Sequence, residues 1–288
     1  MQKYKYKLQE NYFTIIGKLA PGYAMRKAYT LFHTPMTYQR NEIEKTWLSK
    51  ARKFSFSFEK YTIAGYRWGK EGNPKILLLH GWTGVATSMY CFIDSLVAQG
   101  YEVISYDAIG HGNSSGQLCT LSEWADTLRN LNQYIGKVEC IVAHSLAGAT
   151  VIVASKIGLQ TNKIVLIAPF CNPVEIINKW FGERLGIPAN VLKKLPEYFW
   201  HKQQKGLQKY GKNWHDIFTS DFHVPTLIIH DKKDKEVSIA NVNTCAKQWS
   251  WATFIETSGL GHRRILYDKT VVYEVTTFIK ESSNQAPV

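Results

Sequence analysis

Residues 140–148 have the sequence CIVAHSLAG, in which an apolar run leads directly into a helix-forming segment with Ser145 at the junction. A serine on a sharp strand-to-helix turn projects its hydroxyl clear of the sheet, and the tight turn requires small residues two positions before and after it. Ala143 and Ala147 satisfy this requirement. The stretch therefore predicts strands followed by helices, with Ser145 as a nucleophile at a strand end. A serine that is buried or caps a helix is the alternative interpretation.

Two backbone amides near Ser145 are predicted to stabilise negative charge. The helix that starts behind the serine directs free N–H groups toward that charge, which makes the Leu146 amide one candidate oxyanion donor. In LLLHGW, residues 77–82, Gly81 allows the backbone to approach the reaction centre, so the Trp82 amide is the second candidate. His80 ends this apolar run and is expected to bond to loop backbone rather than to act in catalysis.

A carboxylate and a histidine follow later in the chain. In LIIHDKKDKEV, residues 227–237, an apolar run leads into a loop with Asp231 and Asp234, and a carboxylate there could accept the ring N–H of a histidine. Asp234 is the predicted orienting acid, because it lies farther out on the loop than Asp231. His262, on a glycine-flanked loop near the end of the chain, is the predicted general base; a plain surface histidine is the alternative.

Asp107 and His111 form a second aspartate and histidine pair, in the segment SYDAIGHGNSS at residues 105–115. Both precede Ser145 in the chain and lie in a tight, glycine-rich turn. We expect their side chains to hold that turn together by hydrogen bonds rather than to serve as acid and base.

Short apolar runs on both sides of the serine stretch predict the rest of the sheet. They occupy residues 76–79, 103–106, 140–143, 164–167 and 226–229. Such unbroken runs are typical of parallel strands that are covered on both faces. Helical periodicity between them, and an alternating pair of segments at 53–58 and 61–68, predict right-handed crossovers and an antiparallel start. The predicted fold class is α/β, a doubly wound and mostly parallel sheet flanked by helices.

An inserted cap and an N-terminal extension complete the predicted organisation. Residues 53–170 and 225–288 are assigned to the α/β core, 171–224 to a helical cap over the active site, and 1–52 to a basic helical extension packed on the core. Aromatic side chains of the cap are candidates to line an apolar substrate pocket. They are Trp180, Phe181, Phe199, Trp200, Tyr210 and Trp214.

Composition narrows the class of protein. The 288 residues are 45% hydrophobic and 20% charged, as in ordinary globular domains. Five cysteines, an odd number without CxxC spacing, suggest neither a disulfide framework nor a zinc site. No apolar stretch approaches the roughly 18 residues of a membrane-spanning helix, and no secretion signal is evident, so we expect a cytoplasmic protein.

The formal charge of +12 is concentrated at the start of the chain. Residues 1–75 contain 15 Lys or Arg and 5 Asp or Glu. This excess predicts contact with an acidic surface, either an anionic membrane or an acidic carrier protein. A solvated basic face without a partner is the alternative. Nucleic acid is not expected, because no recognisable nucleic-acid-binding module accompanies the charge.

The chain resembles the α/β-hydrolase superfamily over roughly residues 61–280. The blocks that carry the resemblance are His80-Gly-Trp82, Asp107-Ala-Ile-Gly-His-Gly112, Ala143-His-Ser-Leu-Ala-Gly148, His230-Asp-Lys-Lys-Asp234 and Gly259-Leu-Gly-His262. The resemblance implies a triad of Ser145, Asp234 and His262, an oxyanion hole at the amides of Trp82 and Leu146, and no metal or cofactor. Alanines at 143 and 147 depart from the glycines common in the superfamily, and Asp231 replaces a frequent glycine.

The implied activity is hydrolysis of carboxylic esters through an acyl-enzyme. His-Gly-Trp with a helical cap is similar to carboxylesterases, including one that acts on a carrier-protein-bound methyl ester, which would supply an acidic partner. Thioesterase, amidase, C–C bond hydrolase and acyltransferase chemistry remain open alternatives. So do a non-catalytic ligand receptor of the same fold and a lipase that anchors to membranes through its basic N-terminus.

Overall fold

The computed structural model describes residues 2–218, 223–249 and 251–281. Residues 219–222, assigned above to the cap, and 282–288, assigned to the core, lie outside the described residues. Among the residues described, no helix combines the length and apolar character needed to cross a membrane.

One sheet of eight strands forms the centre of the described structure, in the order β1-β2-β4-β3-β5-β6-β7-β8. The strands are β1 Arg52–Phe58, β2 Tyr61–Trp68, β3 Lys75–Leu79, β4 Glu102–Tyr106, β5 Val138–His144, β6 Thr161–Ile167, β7 Thr226–Asp231 and β8 Ala252–Thr257. Strand β2 runs antiparallel to both of its neighbours, and the pairs from β4 to β8 are parallel. The predicted fold class, with its antiparallel start and buried central strands, is confirmed.

Helices cover both faces of this sheet. The α-helices are α1 Gln2–Leu19, α2 Pro21–His33, α3 Glu42–Lys50, α4 Ile93–Ala98, α5 Leu121–Ile135, α6 Leu146–Ser155, α7 Pro173–Asn178, α8 Ala189–Leu192, α9 Leu195–Leu207, α10 Trp214–Phe218, α11 Ile239–Gln248, α12 Gly261–Arg264 and α13 Lys269–Lys280. Short 3₁₀ helices cover Ala86–Phe92 and Ile265–Tyr267, and Lys179–Arg184 forms a π-helical turn. The helical segment between β3 and β4 is split into a 3₁₀ helix and α4, and Met89 within the 3₁₀ helix has a non-helical backbone (φ −97°, ψ 19°).

The alternation of side chains along each strand explains why the central strands are apolar throughout. On β3, Leu77 and Leu79 pack into the core layer beneath α5 and α6, whereas Ile76 and Leu78 pack into the opposite layer with α4 and α13. A strand covered on both faces has no polar face, so its sequence reads as an unbroken apolar run. Both layers fix β5, whose end carries Ser145.

The N-terminal helices pack in two places. Helix α3 packs on the core, through Trp47 and Leu48 against the layer of α4 and α13, and Phe32 of α2 packs against the opposite core layer. Helices α1 and α2 also share a core with the insertion between β6 and β7, in which Phe13 of α1 packs among residues that include Phe199. In this shared core the buried faces of the two helices meet the apolar face of the insertion, a contact that no sequence pattern predicted.

Candidate active site

Ser145 lies at the turn between β5 and α6, in a strained backbone conformation with φ 54° and ψ −121°. Positive φ is unfavourable for a residue with a Cβ atom and persists only when surrounding contacts enforce it. Here the Ser145 amide donates to the carbonyl of Ile167 (3.0 Å), and the Ser145 carbonyl accepts from the amides of Gly148 (2.9 Å) and Phe170 (3.2 Å). The neighbouring strand and helix thus hold the serine in place.

The three predicted catalytic side chains meet in one hydrogen-bonded chain. The Ser145 hydroxyl lies 2.9 Å from Nε2 of His262, and Nδ1 of the same ring lies 2.7 Å from Oδ2 of Asp234. With the proton on Nδ1 donated to the carboxylate, Nε2 is free to accept the hydroxyl proton. All three residues are buried, so little water competes for these contacts. Nothing in this geometry brings Asp231 to the imidazole.

Asp234 is held as an anion by its surroundings. Its other oxygen, Oδ1, accepts hydrogen bonds from the amides of Glu236 (2.7 Å) and Val237 (2.9 Å). Burial works against the charged form, yet the hydrogen bond and positive charge of His262, with the two amides, lower the pKa of Asp234 overall. A carboxylate that is ionised and fixed in this way can orient the ring of His262 and stabilise its protonated form.

Asp231 fixes the loop that carries His262 rather than the imidazole itself. Its carboxylate accepts from the Thr257 hydroxyl (2.9 Å) and from the amides of Gly259 (3.3 Å) and Leu260 (2.9 Å). Burial opposes ionisation, but these bonds and those from neighbouring amides lower the pKa of Asp231 to about 2. Asp231 therefore positions the loop that carries His262. Its place in the sequence did not reveal this role.

Asp231→Asn is expected to lower the free energy of unfolding at pH 7 by about 1–3 kcal/mol, because an amide replaces a charged acceptor of buried hydrogen bonds. The folded-state pKa is depressed, so the stabilisation is complete above the ordinary aspartate value of 3.8 and is lost as pH falls toward about 2. The stability difference between wild type and variant should therefore shrink over that interval, as measured by urea unfolding. The exposed Asp94→Asn variant is the control, and equal stability of wild type and Asp231→Asn at pH 7 would contradict this role.

Trp82 and Leu146, whose backbone amides are the predicted oxyanion donors, both line the cavity that contains Ser145. Leu146 is the first residue of α6, and within the described ranges neither amide has a hydrogen-bond acceptor. Gly81 allows the Trp82 loop to lie against the serine turn, since a Cβ atom there would come within 2.7 Å of Nδ1 of His144 and 3.1 Å of Cβ of Ser145. Both predicted oxyanion donors therefore belong to residues of the cavity wall, and no acceptor in the described part of the chain engages either amide.

Asp107 and His111, in the turn after β4, make hydrogen bonds that hold the turn to the surrounding structure. Asp107 is fully buried and accepts two hydrogen bonds from Nη2 of Arg40 (3.0 and 2.7 Å) and one from the Tyr66 hydroxyl (2.9 Å). In His111, Nδ1 donates to the Ile109 carbonyl (2.9 Å) and Nε2 accepts from the Thr83 amide (3.2 Å), while burial lowers the pKa to about 3. Neither side chain is placed to exchange protons with a substrate.

His80 has the same character. Its Nδ1 donates to the Gly81 carbonyl (2.8 Å), and its Nε2 accepts from the Ala108 amide (3.0 Å). The ring joins the Trp82 loop to the turn after β4, so it supports the candidate oxyanion amide from behind.

The cavity above Ser145 has a volume of about 590 Å³. Residues of the core loops and of the last part of the chain form one side, including His144, Phe170 and Tyr267. The N-terminal extension forms another part of the wall. Its contributing residues are Leu31, Phe32, Met36, Thr37 and Tyr38. This contribution was not predicted from the sequence, because no motif in residues 1–52 indicates where the extension meets the core.

Most of the six aromatic residues predicted to line the substrate pocket do not reach this cavity. Trp180 alone of the six lies in its wall, while Phe199 and Trp214 line a separate, smaller pocket. The prediction is wrong for the other three: Phe181 packs against α1 and α2, Trp200 stacks edge-on against Trp214, and Tyr210 packs on the core and donates to Asp126 (2.7 Å). Aromatic side chains in a helical insertion serve first to hold its short helices together.

His144 is a functional candidate that the sequence analysis did not single out. Its Nε2 donates to the carbonyl of His262 (2.9 Å), and the two rings lie 4.8 Å apart. Burial first, and then the neighbouring His262, lower the pKa of His144 to about 3, so the ring stays neutral. A neutral neighbour adds no repulsion when His262 takes up a proton. The position of His144 directly before Ser145 was the sequence signal that could have identified it as a candidate.

Comparison with known proteins identifies relatives of this arrangement. The family described as "Serine aminopeptidase, S33" matches residues 71–213, about half of the chain. A proline iminopeptidase of Clostridioides difficile is 32% identical over 80 residues, which are 26% of this chain and 27% of that protein. The chain therefore aligns with only about a quarter of the length of this curated relative.

Two solved structures are similar over most of their length. An esterase of Pyrococcus furiosus superposes with a TM-score of 0.66 at 17% identity, covering 87% of this chain and 100% of that one. Est1E of Butyrivibrio proteoclasticus, solved with ferulic acid, superposes with a TM-score of 0.61 at 20% identity, covering 79% and 96% of the two chains. Identities this low establish the fold and leave the substrate open.

Proposed function

The chain belongs to the α/β-hydrolase superfamily, and we propose that it is a serine hydrolase that cleaves carboxylic esters through an acyl-enzyme. The observation that carries the proposal is the hydrogen-bonded chain from the Ser145 hydroxyl through His262 to Asp234. A nucleophile, a base in contact with it and an acid that orients the base are the parts that acyl transfer requires.

In the proposed first half-reaction, Nε2 of His262 takes the hydroxyl proton as Oγ of Ser145 attacks the ester carbonyl carbon. The carbonyl oxygen becomes an anion that accepts hydrogen bonds from the amides of Trp82 and Leu146. When this intermediate collapses, protonated His262 gives its proton to the departing alcohol. Asp234 stays ionised throughout and holds Nδ1–H of the ring.

The second half-reaction repeats these steps with water. His262 removes a proton from the water molecule, whose oxygen attacks the acyl carbon of the acyl-serine, and the proton then returns to Oγ of Ser145. The strained backbone of Ser145 supports this proposal, because the hydrogen bonds that enforce its positive φ hold the serine at the turn where its hydroxyl meets Nε2 of His262.

Ester cleavage is tested by a panel in which one acyl group is joined to an alcohol, a thiol or an aniline. We expect the highest kcat/KM for the oxygen ester. A higher value for the thioester or the anilide would assign the protein as a thioesterase or an amidase instead, and transfer of the acyl group to an added alcohol would identify an acyltransferase. A ligand receptor of the same fold would bind these compounds and release no product from any of them.

A second candidate, lipase action at a membrane surface, is favoured by the outer face of α1. Leu8, Tyr12, Ile15 and Leu19 are between 42% and 81% exposed and recur at intervals of three and four residues, so they form one apolar stripe. Exposed lysines, such as Lys18, accompany this stripe. An apolar stripe flanked by lysines is typical of a helix that lies in the surface of an anionic bilayer.

The membrane proposal predicts that the protein cosediments with vesicles containing an anionic phospholipid and less with neutral vesicles. Ile15→Ser combined with Leu19→Ser should weaken this binding by more than about tenfold, because two apolar side chains no longer enter the bilayer. Leu118→Ser, which changes an exposed leucine outside α1, is the matched control. High salt should also weaken binding, through screening of the lysines.

Equal sedimentation of the wild type and the double serine variant would contradict the membrane proposal. An acidic carrier protein, the other partner that the basic start of the chain could bind, would contact the lysines and need no apolar stripe. Retention on an acidic protein that is sensitive to salt and unaffected by the serine substitutions would favour the carrier.

A further inference from the structure

A small pocket adjoins the cavity that contains Ser145. The two share wall residues, among them Phe32, Trp82, Leu146 and Phe170. The small pocket has a volume of about 30 Å³, enough for one small chemical group. It is lined mainly by apolar side chains, with Gln203 of α9 and His33 of α2 among the few polar ones. We call it the distal pocket.

The hydrogen bonds of His33 determine which way the Gln203 amide points. Nδ1 of His33 lies 2.7 Å from the carbonyl of Tyr29, an acceptor, so Nδ1 carries the proton. Burial lowers the pKa of His33 to about 4, so the ring is neutral near pH 7 and Nε2 has a free lone pair. That lone pair accepts a hydrogen bond from the Gln203 amide nitrogen at 3.1 Å. The nitrogen end of the Gln203 amide is therefore directed toward His33.

The oxygen end of the same amide has no donor. Gln203 is only 5% exposed, and its Oε1 is buried without a hydrogen-bond partner among the described residues. Rotating the amide by a half-turn would give Oε1 no donor either, because Nε2 of His33 carries no proton in this tautomer. A buried acceptor without a donor is unfavourable, and Gln203 lines the distal pocket, so a ligand whose donor reaches Oε1 there gains a contact that an apolar ligand lacks.

We propose that the distal pocket receives the end of the substrate's acyl group and that Gln203 Oε1 accepts a hydrogen bond from a hydroxyl carried there. This inference rests on the proposed ester hydrolysis. The acyl chain is joined to the carbonyl carbon, whose oxygen would contact the amides of Trp82 and Leu146, and both residues also line the distal pocket. The site thus selects hydroxyacyl esters over esters of unsubstituted acids.

The chemistry of the walls favours a hydroxyl over other donors. No carboxylate lines the distal pocket in the described part of the chain, so an ammonium group would be buried beside a single neutral acceptor. An amide group is larger than a hydroxyl and brings a carbonyl oxygen that would find few donors there. A hydroxyl supplies the one donor that Gln203 lacks.

The test compares methyl esters of ω-hydroxy acids of increasing chain length with esters in which a methyl group replaces the hydroxyl. At one chain length, kcat/KM of the wild type should favour the hydroxy ester by about tenfold or more, because a site built to bond a hydroxyl rejects the analogue without it. Gln203→Leu should abolish that preference. Gln204→Leu, which changes an exposed glutamine next to it on α9, should leave it intact.

Two results would overturn the inference. One is equal cleavage of both ester series by the wild type at every chain length, as expected if a resident water donates to Gln203. The other is a hydroxyl preference that survives in Gln203→Leu. If the leucine variant does not fold, Gln203→Met, which is closer in length to glutamine, replaces it in the test. The comparison of the two ester series with the wild type requires no variant. Cleavage of both series that requires Ser145 but shows no preference would leave the proposed function standing, whereas no cleavage of any ester would remove both.

Discussion

Ser145→Ala is expected to lower kcat for hydrolysis of activated esters by about 10⁴- to 10⁶-fold, the usual cost of removing a serine nucleophile. The alanine variant keeps the two amides and the cavity, but no oxygen remains 2.9 Å from His262 to attack the carbonyl carbon. Binding of the ester should change little, so the loss should appear in kcat rather than in KM. The measurement is release of a coloured phenolate from short acyl esters. The blank contains a protein without an active site in place of the enzyme.

The thermal unfolding temperature of Ser145→Ala shows whether the variant is folded. Position 145 retains its positive φ, so alanine meets the same backbone strain as serine, and its thermal unfolding temperature should stay close to that of the wild type. A variant that is folded and inactive would separate loss of the nucleophile from loss of structure. Undiminished hydrolysis by folded Ser145→Ala would remove Ser145 from the mechanism.

Asp234→Asn is expected to lower kcat by about 10⁴-fold, because an amide cannot hold the proton on Nδ1 of His262 as a carboxylate does. An asparagine that presents its nitrogen to Nδ1 would favour the opposite tautomer, which leaves Nε2 protonated and unable to accept the serine proton. The measurement is kcat for the same activated esters, together with its dependence on pH.

Asp231→Asn is the matched control for Asp234→Asn, since it makes the same chemical change three residues away in the same loop. Asp231 bonds to the loop before His262 and not to the ring. Asp231→Asn should lower the free energy of unfolding by more than it raises the activation free energy that corresponds to kcat. Asp234→Asn should do the reverse. A larger loss of kcat in Asp231→Asn than in Asp234→Asn would exchange the roles assigned to the two aspartates.

The sheet was predictable from the sequence because its central strands are buried on both faces. Burial on both faces removes polar residues from a strand, and the unbroken runs at 76–79 and 140–143 reflect this directly. The proximity of Ser145 and His262 was also predictable, because each residue follows a predicted strand and the strand ends meet at one edge of a parallel sheet. The two aspartates were harder to separate, because distances of a few ångströms decide between them.

The walls of the cavity were not predictable, for a physical reason. A large apolar side chain lowers the free energy of the folded state both when it packs in a helical insertion and when it lines a pocket. The sequence therefore does not show which of the two Phe181 and Trp200 do. The contribution of Met36 and Tyr38 to the cavity wall depends on where the chain runs after α2. Arg40 helps to fix that path through its ion pair with buried Asp107, a pairing of residues 67 positions apart that no local pattern indicates.

Labelling with a fluorophosphonate, followed by mass analysis of the peptides, reports directly whether Ser145 is an activated nucleophile. The reagent phosphonylates a serine only where a base and oxyanion donors activate it, which is the arrangement assigned to Ser145, His262 and the amides of Trp82 and Leu146. We predict one adduct per chain, on Ser145, formed far more slowly in Asp234→Asn. Folded wild-type protein that takes up no label, or takes it up at another residue, would contradict it.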